Sequence, residues 1–248
     1  MNRQCTSRSP IPILTYHQIA VAPAKGAAFR SLYVAPRDFA AQMDFLARLG
    51  YRGLSMRQLE PYLLGEKTGR VFGITFDDGY LNNLTDALPV LQRLHFSSTC
   101  YAVSQRLAQT NSWDQGQGIA QVPLMSAAQL RQWVAAGQEV GAHTRHHARL
   151  SQVDAETCRT EIVLSKTELE QCTGSAVSHF CYPYGDYSEA ALAMVEAAGF
   201  TTATTTRRGR CCAGDDLLAL ARVPVLRSTT RLLLWWKLVS RYEDNRRV

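Results

Sequence analysis

The sequence predicts an α/β fold, a β/α barrel-like single domain, on three observations. Short apolar runs rich in β-formers alternate with helical patterns along the chain. Neither an internal repeat nor a convincing linker interrupts that alternation. Polar clusters follow three of the strands, after Phe76, Ala142 and Cys181, where parallel β/α folds gather their ligands.

Taken in order, residues 11–16 read as a strand and 36–49 as a helix with Phe39, Met43 and Leu46 on one face. Ser55 with Gln58 three residues on forms a capping-box pattern for a short helix. Residues 71–76 are the clearest strand. They lead into a helix carrying Leu84, Leu88 and Leu91, which Pro89 should kink or restart. The next strand is 98–103, and 109–124 is a polar Gln/Gly-rich loop long enough to bind rather than merely connect. Ser126 with Gln129 gives a second capping box, opening a helix that Gly137 closes. A strand at 139–142 precedes a long helix at 154–172 stopped by Gly174. A strand at 179–181, a helix at 188–198 stopped by Gly199, and strands at 201–205 and 223–226 complete the pattern.

Composition narrows the function. A chain of 248 residues with 46% hydrophobic content can bury a sizeable core. No stretch approaches the roughly 18 apolar residues of a spanning helix, and residues 1–10 lack the apolar region of a secretory signal. Seven cysteines, Cys5, Cys100, Cys158, Cys172, Cys181, Cys211 and Cys212, show no CxxC spacing and read as reduced thiols of a cytosolic protein. The net charge is +6, but the basic residues are scattered apart from Arg207, Arg208 and Arg210 and the tail Arg241, Arg246 and Arg247. With no nucleic-acid motif beside them, no nucleic-acid partner is expected.

The chemistry gathers in the three clusters. In Thr75-Phe76-Asp77-Asp78-Gly79 two adjacent carboxylates would repel if both were merely structural. A divalent metal resolves the conflict by taking one as ligand and leaving the other free as a base, and Gly79 permits the sharp turn. The plain alternative is a turn that caps the following helix. His143 and His147 stand four apart, a spacing that can bring two imidazoles onto one cation, with His146 pointing elsewhere. Asp78, His143 and His147 then make a ligand set that suits zinc, with Co, Mn, Ni or Fe as alternatives. Tyr182-Pro183-Tyr184-Gly185 is a rigid turn from which a backbone N–H can face the pocket and hold an oxyanion, or a simple turn with packed tyrosines.

With these clusters in this order the sequence resembles the polysaccharide deacetylase family, the NodB-type carbohydrate esterases. The motifs span residues 75–185, and the flanking pattern fits from about 11 to 226. The resemblance implies a distorted (β/α) barrel of the NodB-homology type, a metal bound by one Asp and two His, and hydrolysis of N- or O-acetyl groups on sugars. It makes Asp77 the general base, Asp78, His143 and His147 the ligands, and Tyr184 an oxyanion-hole donor through its backbone. Two departures stand out. Many members carry an arginine in the third motif, absent here, and a late histidine as general acid, whereas no histidine follows His179. The chain looks closer to the branch of poly-N-acetylglucosamine deacetylases with an early Tyr-His motif, here Tyr16-His17. His17 is therefore the expected acid, and Arg222, at the start of the last strand, the expected replacement for the missing arginine.

The resulting reading is a metal-dependent N-deacetylase acting on a glycan or glycolipid intermediate of surface-polysaccharide synthesis. The alternatives are an O-acetyl or small-amide deacylase and a catalytically inactive carbohydrate-binding protein. Residues 1–10 are expected to form an extension, 11–228 the catalytic domain, and 229–248 a basic amphipathic helix and tail. Leu232 to Trp236 and Leu238, set among basic residues within 231–241, are expected either to pack on the barrel or to lie on a membrane surface. The expected location is cytoplasmic, and the second alternative would make it peripheral at the inner membrane face. Trp113 and Asp114 in loop 109–124 are candidate substrate contacts, Trp113 either stacking on a sugar ring or anchoring the loop.

Overall fold

Residues 10–246 are described by the structure, a computed structural model. Expectations that fall on residues 1–9, Cys5 and most of the N-terminal extension among them, and on Arg247 lie outside the described residues. The chain enters on β1 (Ile13–Tyr16), then makes a small separate pair from β2 (Gln18–Ile19) and β3 (Tyr33–Val34). Next come α1 (Pro36–Arg48), β4 (Arg52–Leu54), α2 (Met56–Leu63) and β5 (Val71–Phe76). From there helices and strands alternate: α3 (Leu88–Leu94), β6 (Thr99–Ala102), α4 (Ala127–Ala135), β7 (Glu139–Ala142), α5 (Ala155–Thr173) and β8 (His179–Cys181). The sequence ends with α6 (Glu189–Ala197), β9 (Thr202–Arg208), β10 (Leu220–Pro224) and α7 (Arg231–Val239).

The main sheet is parallel throughout and runs β4, β5, β6, β7, β8, β9, β10, β1, with β1 returning to β5. Among the described residues, seven strands thus close a barrel. Its distortion lies in the register at β5. Gly73 pairs with both Ile13 and Leu54, and Thr75 with both Thr15 and Thr99. Since a strand has only two edges, β4 and β6 must share the edge opposite β1, one beside each half of β5.

Local chemistry starts and stops the helices. Ser126 and Gln129 exchange both bonds of a capping box at α4, and Gly174, left-handed at φ 70°, ends α5. At α2 Ser55 accepts the Gln58 N–H as expected, but the Gln58 side chain accepts instead from Ser97 Oγ at 2.8 Å. The other half of that box is diverted to joining α2 to the approach of β6. Pro89 restarts the helix rather than bending it: a π-helical turn at Asn83–Ala87 gives way to α3, with the proline in its first turn.

Tyr16, Phe39, Phe76 and Trp133 are fully buried, with Tyr16 edge-on to Phe39 at 5.2 Å and Phe76 edge-on to Trp133 at 5.9 Å. The Tyr16 hydroxyl donates to Gln42 Oε1 at 2.9 Å, and Gln42 Nε2 donates to the Thr229 carbonyl at 2.7 Å. This relay ties the end of β1 to α1 and to the lead-in of α7.

The expectation of wholly reduced cysteines fails at one position. Among the described residues Cys100, Cys158, Cys172 and Cys181 are free thiols, whereas Cys212 is disulfide-bonded. Neighbouring cysteines cannot readily bond each other, but nothing stops one of them from pairing elsewhere. Here Cys211 is buried and Cys212 only partly so. The cysteine argument for a cytosolic setting falls with it.

α7 packs against α1, and its Leu234 and Leu238 are buried. Among the described residues no helix is long and apolar enough to cross a membrane. The segment after α7 is anchored by Glu243, which is fully buried, accepts from Arg208 Nε at 2.6 Å and pairs with Lys237 Nζ at 2.7 Å. Burial alone would raise the Glu243 carboxyl, but the bonds from Arg208 and Lys237 outweigh it and hold it below its ordinary range. Its contribution is therefore full above the unfolded glutamate value of about 4.3 and is lost as the pH falls through the lower folded value. Glu243→Gln is expected to cost about 3 kcal/mol at pH 7, since it leaves Lys237 buried beside a neutral partner. Urea midpoints at pH 7 and pH 3 check this, with the gap between variant and parent shrinking at the lower pH.

Candidate active site

Asp77 and Asp78 follow β5 directly and are both buried, at 3% and 6% exposure. Asp77 is anchored by its own N–H, which donates to the Tyr16 carbonyl at 3.0 Å. Its carboxylate meets Arg222 as a two-pronged fork, Nη1 to Oδ1 at 2.7 Å and Nη2 to Oδ2 at 2.8 Å. Arg222 is itself immobilised. Nε donates to the Thr205 carbonyl at 2.8 Å, Nη1 to Thr75 Oγ1 at 3.1 Å, and Nη2 to Cys181 Sγ at 3.3 Å. Burial would push the Asp77 carboxyl up, but the Arg222 charge and hydrogen bonds, then His17 and His143, bring it below the usual carboxylate range. Arg222 thus stands beside Asp77, in the middle of β10 rather than at its start. His17, just past β1, places Nε2 3.9 Å from Asp77 Oδ2 with its side chain 24% exposed toward the mouth.

Asp78 and Gly79 are both left-handed, at φ 74° and 78°. For Asp78 this is a strained conformation, of the kind that persists where surrounding structure fixes it. The turn separates the adjacent carboxylates, sending Asp77 to Arg222 and Asp78 to the histidines. Asp78 Oδ1 lies 3.5 Å from His143 Nε2 and 3.3 Å from His147 Nε2, and the ligand atoms of the three lie within 4.8 Å of one another. Burial raises the Asp78 carboxyl and the two imidazoles more than offset it, holding it well below its ordinary value.

His143 Nδ1 lies 2.7 Å from the Cys181 carbonyl. A carbonyl only accepts, so that nitrogen carries the proton and Nε2 is free to ligate, the usual outer support of a metal-binding imidazole. One carboxylate oxygen and two Nε2 atoms facing one another are a donor set that fits a divalent cation.

The His143–His147 loop is shaped by left-handed Thr144 and His147, both at φ 62°. It is also held from α5 by buried Glu161, a residue that sequence reading did not single out. Glu161 Oε2 accepts the N–H groups of Arg145 at 2.8 Å and His146 at 2.9 Å, and Oε1 lies 2.6 Å from His146 Nδ1. His146 is thereby turned away from the cluster, as its position in the motif implied.

Tyr184 is left-handed at φ 59° and packs its ring edge-on to His147 at 4.5 Å, with the Arg149 guanidinium 3.7 Å over the ring. Only glycine fits at Gly185, where a Cβ would strike Thr206. The Trp113 ring is stacked on His147 at 4.5 Å and 21°, so this side chain buttresses a candidate ligand and anchors the loop. Its neighbour Asp114 lines the cavity and accepts from the Tyr184 hydroxyl at 3.4 Å. Burial, then the Asp78 charge, raises the Asp114 carboxyl. The cavity above these residues measures about 320 Å³ and is walled by His17, Phe29, Asp114, Tyr184, Thr206 and Arg222. All seven residues given a catalytic or metal-binding role from the sequence border it, Asp77, Asp78, His143, His147, His17, Tyr184 and Arg222, whereas Trp113 does not.

Fold and site together define a closed parallel β/α barrel with a carboxylate and imidazole cluster at the base of a pocket. A family model for polysaccharide deacetylase matches residues 65–203, and the chain belongs to this family; it is a deacetylase. The chain is 27% identical over 217 residues to YxkH of Bacillus subtilis (strain 168), which is named for the same family, covering 87% of this chain and 71% of YxkH. Bacillus cereus BC0361, a polysaccharide deacetylase, is 27% identical with a TM-score of 0.78 over 93% of this chain and 69% of its own. Two structures below 25% identity share the fold. Streptococcus pyogenes deacetylase PplD, in complex with acetate, is 24% identical with a TM-score of 0.82 over 94% of this chain and 99% of its own. IcaB from Ammonifex degensii is 23% identical with a TM-score of 0.78 over 94% and 98%. The family match spans Asp77, Asp78, His143, His147 and Tyr184 but neither His17 nor Arg222.

Proposed function

We propose that the protein is a metal-dependent N-deacetylase acting on an acetamido sugar of a polysaccharide or glycolipid in surface-polysaccharide synthesis. The observation that carries this reading is the division of labour between two adjacent aspartates, Asp77 clamped by Arg222 and Asp78 facing His143 and His147. Asp78, His143 and His147 would hold the cation, zinc by preference and Co, Mn, Ni or Fe as substitutes. When bound, it polarises the acetyl carbonyl and makes water acidic enough to attack near neutral pH.

Asp77 takes the proton of the attacking water. Arg222 keeps that carboxylate ionised in a buried setting and fixes its plane, so a base is in place before substrate arrives. Charge building on the acetyl oxygen is met by the Tyr184 backbone N–H. An amine leaves poorly unless protonated, and His17, whose Nε2 lies 3.9 Å from Asp77 Oδ2, supplies that proton. The cavity is of a size for one acetylated sugar, with Phe29 offering an apolar face and Asp114 an acceptor for hydroxyls.

Acetate release from N-acetylglucosamine oligomers and from acetylated xylan, before and after chelation, tests the reading. Release from the oligomers that stops on chelation and returns with zinc is expected. Release from xylan alone would move the assignment to ester cleavage. An undiminished rate after complete metal removal would overturn the cation's role, and inert, metal-loaded protein would favour a carbohydrate-binding function.

A further inference from the structure

The outward face of α7 is apolar in a way that packing on the barrel does not explain. Leu234 and Leu238 turn inward and are buried at 0% and 3% exposure. On the opposite side Leu232, Trp235, Trp236 and Val239 are 64%, 36%, 50% and 40% exposed. At 100° per residue these four share one stripe of the helix. A surface helix ordinarily places charged residues there. This one is apolar on both sides, and its single interior charge, Lys237, is turned inward, donating to the Pro224 carbonyl at 2.7 Å and pairing with Glu243.

The exposed charges that flank the stripe in the chain are all basic, and one acid of α1, Asp38, shares a surface hollow with Arg227 and Arg231. Arg227 and Arg231 precede it and Arg241 and Arg246 follow it, all exposed. The acids of residues 225–246 are Glu243 and Asp244. The first is buried against Arg208 and Lys237, and the second pairs with Arg210. The surface on offer is thus two indoles and two aliphatic side chains bracketed by arginines.

We propose that this face of α7 docks the protein on an anionic lipid surface. Tryptophan favours the boundary between headgroups and acyl chains, and flanking arginines add attraction to acidic headgroups. Nine residues make a helix about 14 Å long, enough to lie in that boundary. A second copy is a poorer occupant: four side chains on little more than two turns fall far short of the roughly 20–30 residues a side of a stable interface. The proposal stands apart from the deacetylase reading, because none of these residues borders the catalytic cavity.

The test is sedimentation of the full chain with phosphatidylcholine vesicles, with and without phosphatidylglycerol, beside Trp235→Ser/Trp236→Ser and Arg231→Gln/Arg241→Gln. Both pairs are exposed, and unchanged circular dichroism and acetate release from a soluble substrate establish that each variant is intact. Wild type should sediment with the acidic vesicles and far less with neutral ones. The tryptophan pair should abolish most binding, and each neutralised arginine should weaken it roughly fivefold, corresponding to about 1 kcal/mol per basic residue near the surface. Equal sedimentation of wild type and the tryptophan variant would overturn the proposal. So would a concentration-dependent dimer in light scattering that the tryptophan variant loses, which would assign the face to a second copy.

Discussion

Asp77→Asn is expected to retain its metal and to lose about 10³-fold in kcat, whereas His143→Ala should lose most of both metal and turnover. The two positions differ in what their side chains face. Asp77 has both oxygens on Arg222, and asparagine in its place accepts no proton from water, which removes the general-base contribution of about 10²–10⁴. Asp78, His143 and His147 remain together in that variant. His143→Ala instead removes one of three donors, and with it the nitrogen whose tautomer the Cys181 carbonyl fixes. Elemental analysis of dialysed protein alongside acetate release separates the two. Near-normal turnover in metal-loaded Asp77→Asn would place the base elsewhere. Full metal content in His143→Ala would remove this histidine from the ligand set.

The barrel was legible because burial on both faces gives its strands continuous apolar runs: residues 71–76 are buried at every position. The strands that escaped notice, β2, β3 and β4, have two or three residues each and, unlike the equally short β8, do not lead into one of the three polar clusters. β10 starts at Leu220 rather than Val223 because Arg222 breaks the apolar pattern in mid-strand. That misreading has a functional cause, since a charge inside a barrel strand is tolerated here only by its fork to Asp77.

At the site, chemistry concentrated in short motifs could be read directly: Asp77 with Asp78, and His143 with His147. Supports that reach in from distant parts of the chain could not. Glu161 holds the histidine loop from 15 or 16 residues away, and in sequence it is one of many helical glutamates. Thr205 and Cys181 fix Arg222 through a backbone carbonyl and a thiol that no motif announces. Trp113 offered two readings, and only the approach of its ring to His147 distinguishes them.

Arg222 carries the second large effect, felt in both stability and rate. Arg222→Ala would leave Asp77 buried without its guanidinium partner, and breaking such a pair costs about 3–5 kcal/mol. The sign with pH follows from the balance at this carboxylate. Burial pushes it up, and Arg222 is the main group bringing it down. In the parent enzyme Asp77 therefore stays ionised to below its ordinary value, and the stability it contributes is present above the unfolded aspartate value of about 3.9 and lost as the pH falls through the folded one. Without Arg222 burial wins. Asp77 then takes up a proton at higher pH, and the acid limb of kcat/KM moves up toward neutrality. Arg222→Lys should fall between the two, because lysine keeps a charge but not the fork that fixes the carboxylate plane. Thermal melts and pH–rate profiles of the parent and both variants read the two effects separately. A destabilised Arg222→Ala whose acid limb stays where the parent's lies would make Arg222 a purely structural partner of Asp77. A shifted limb with metal content unchanged would establish that the guanidinium sets the protonation state of the base.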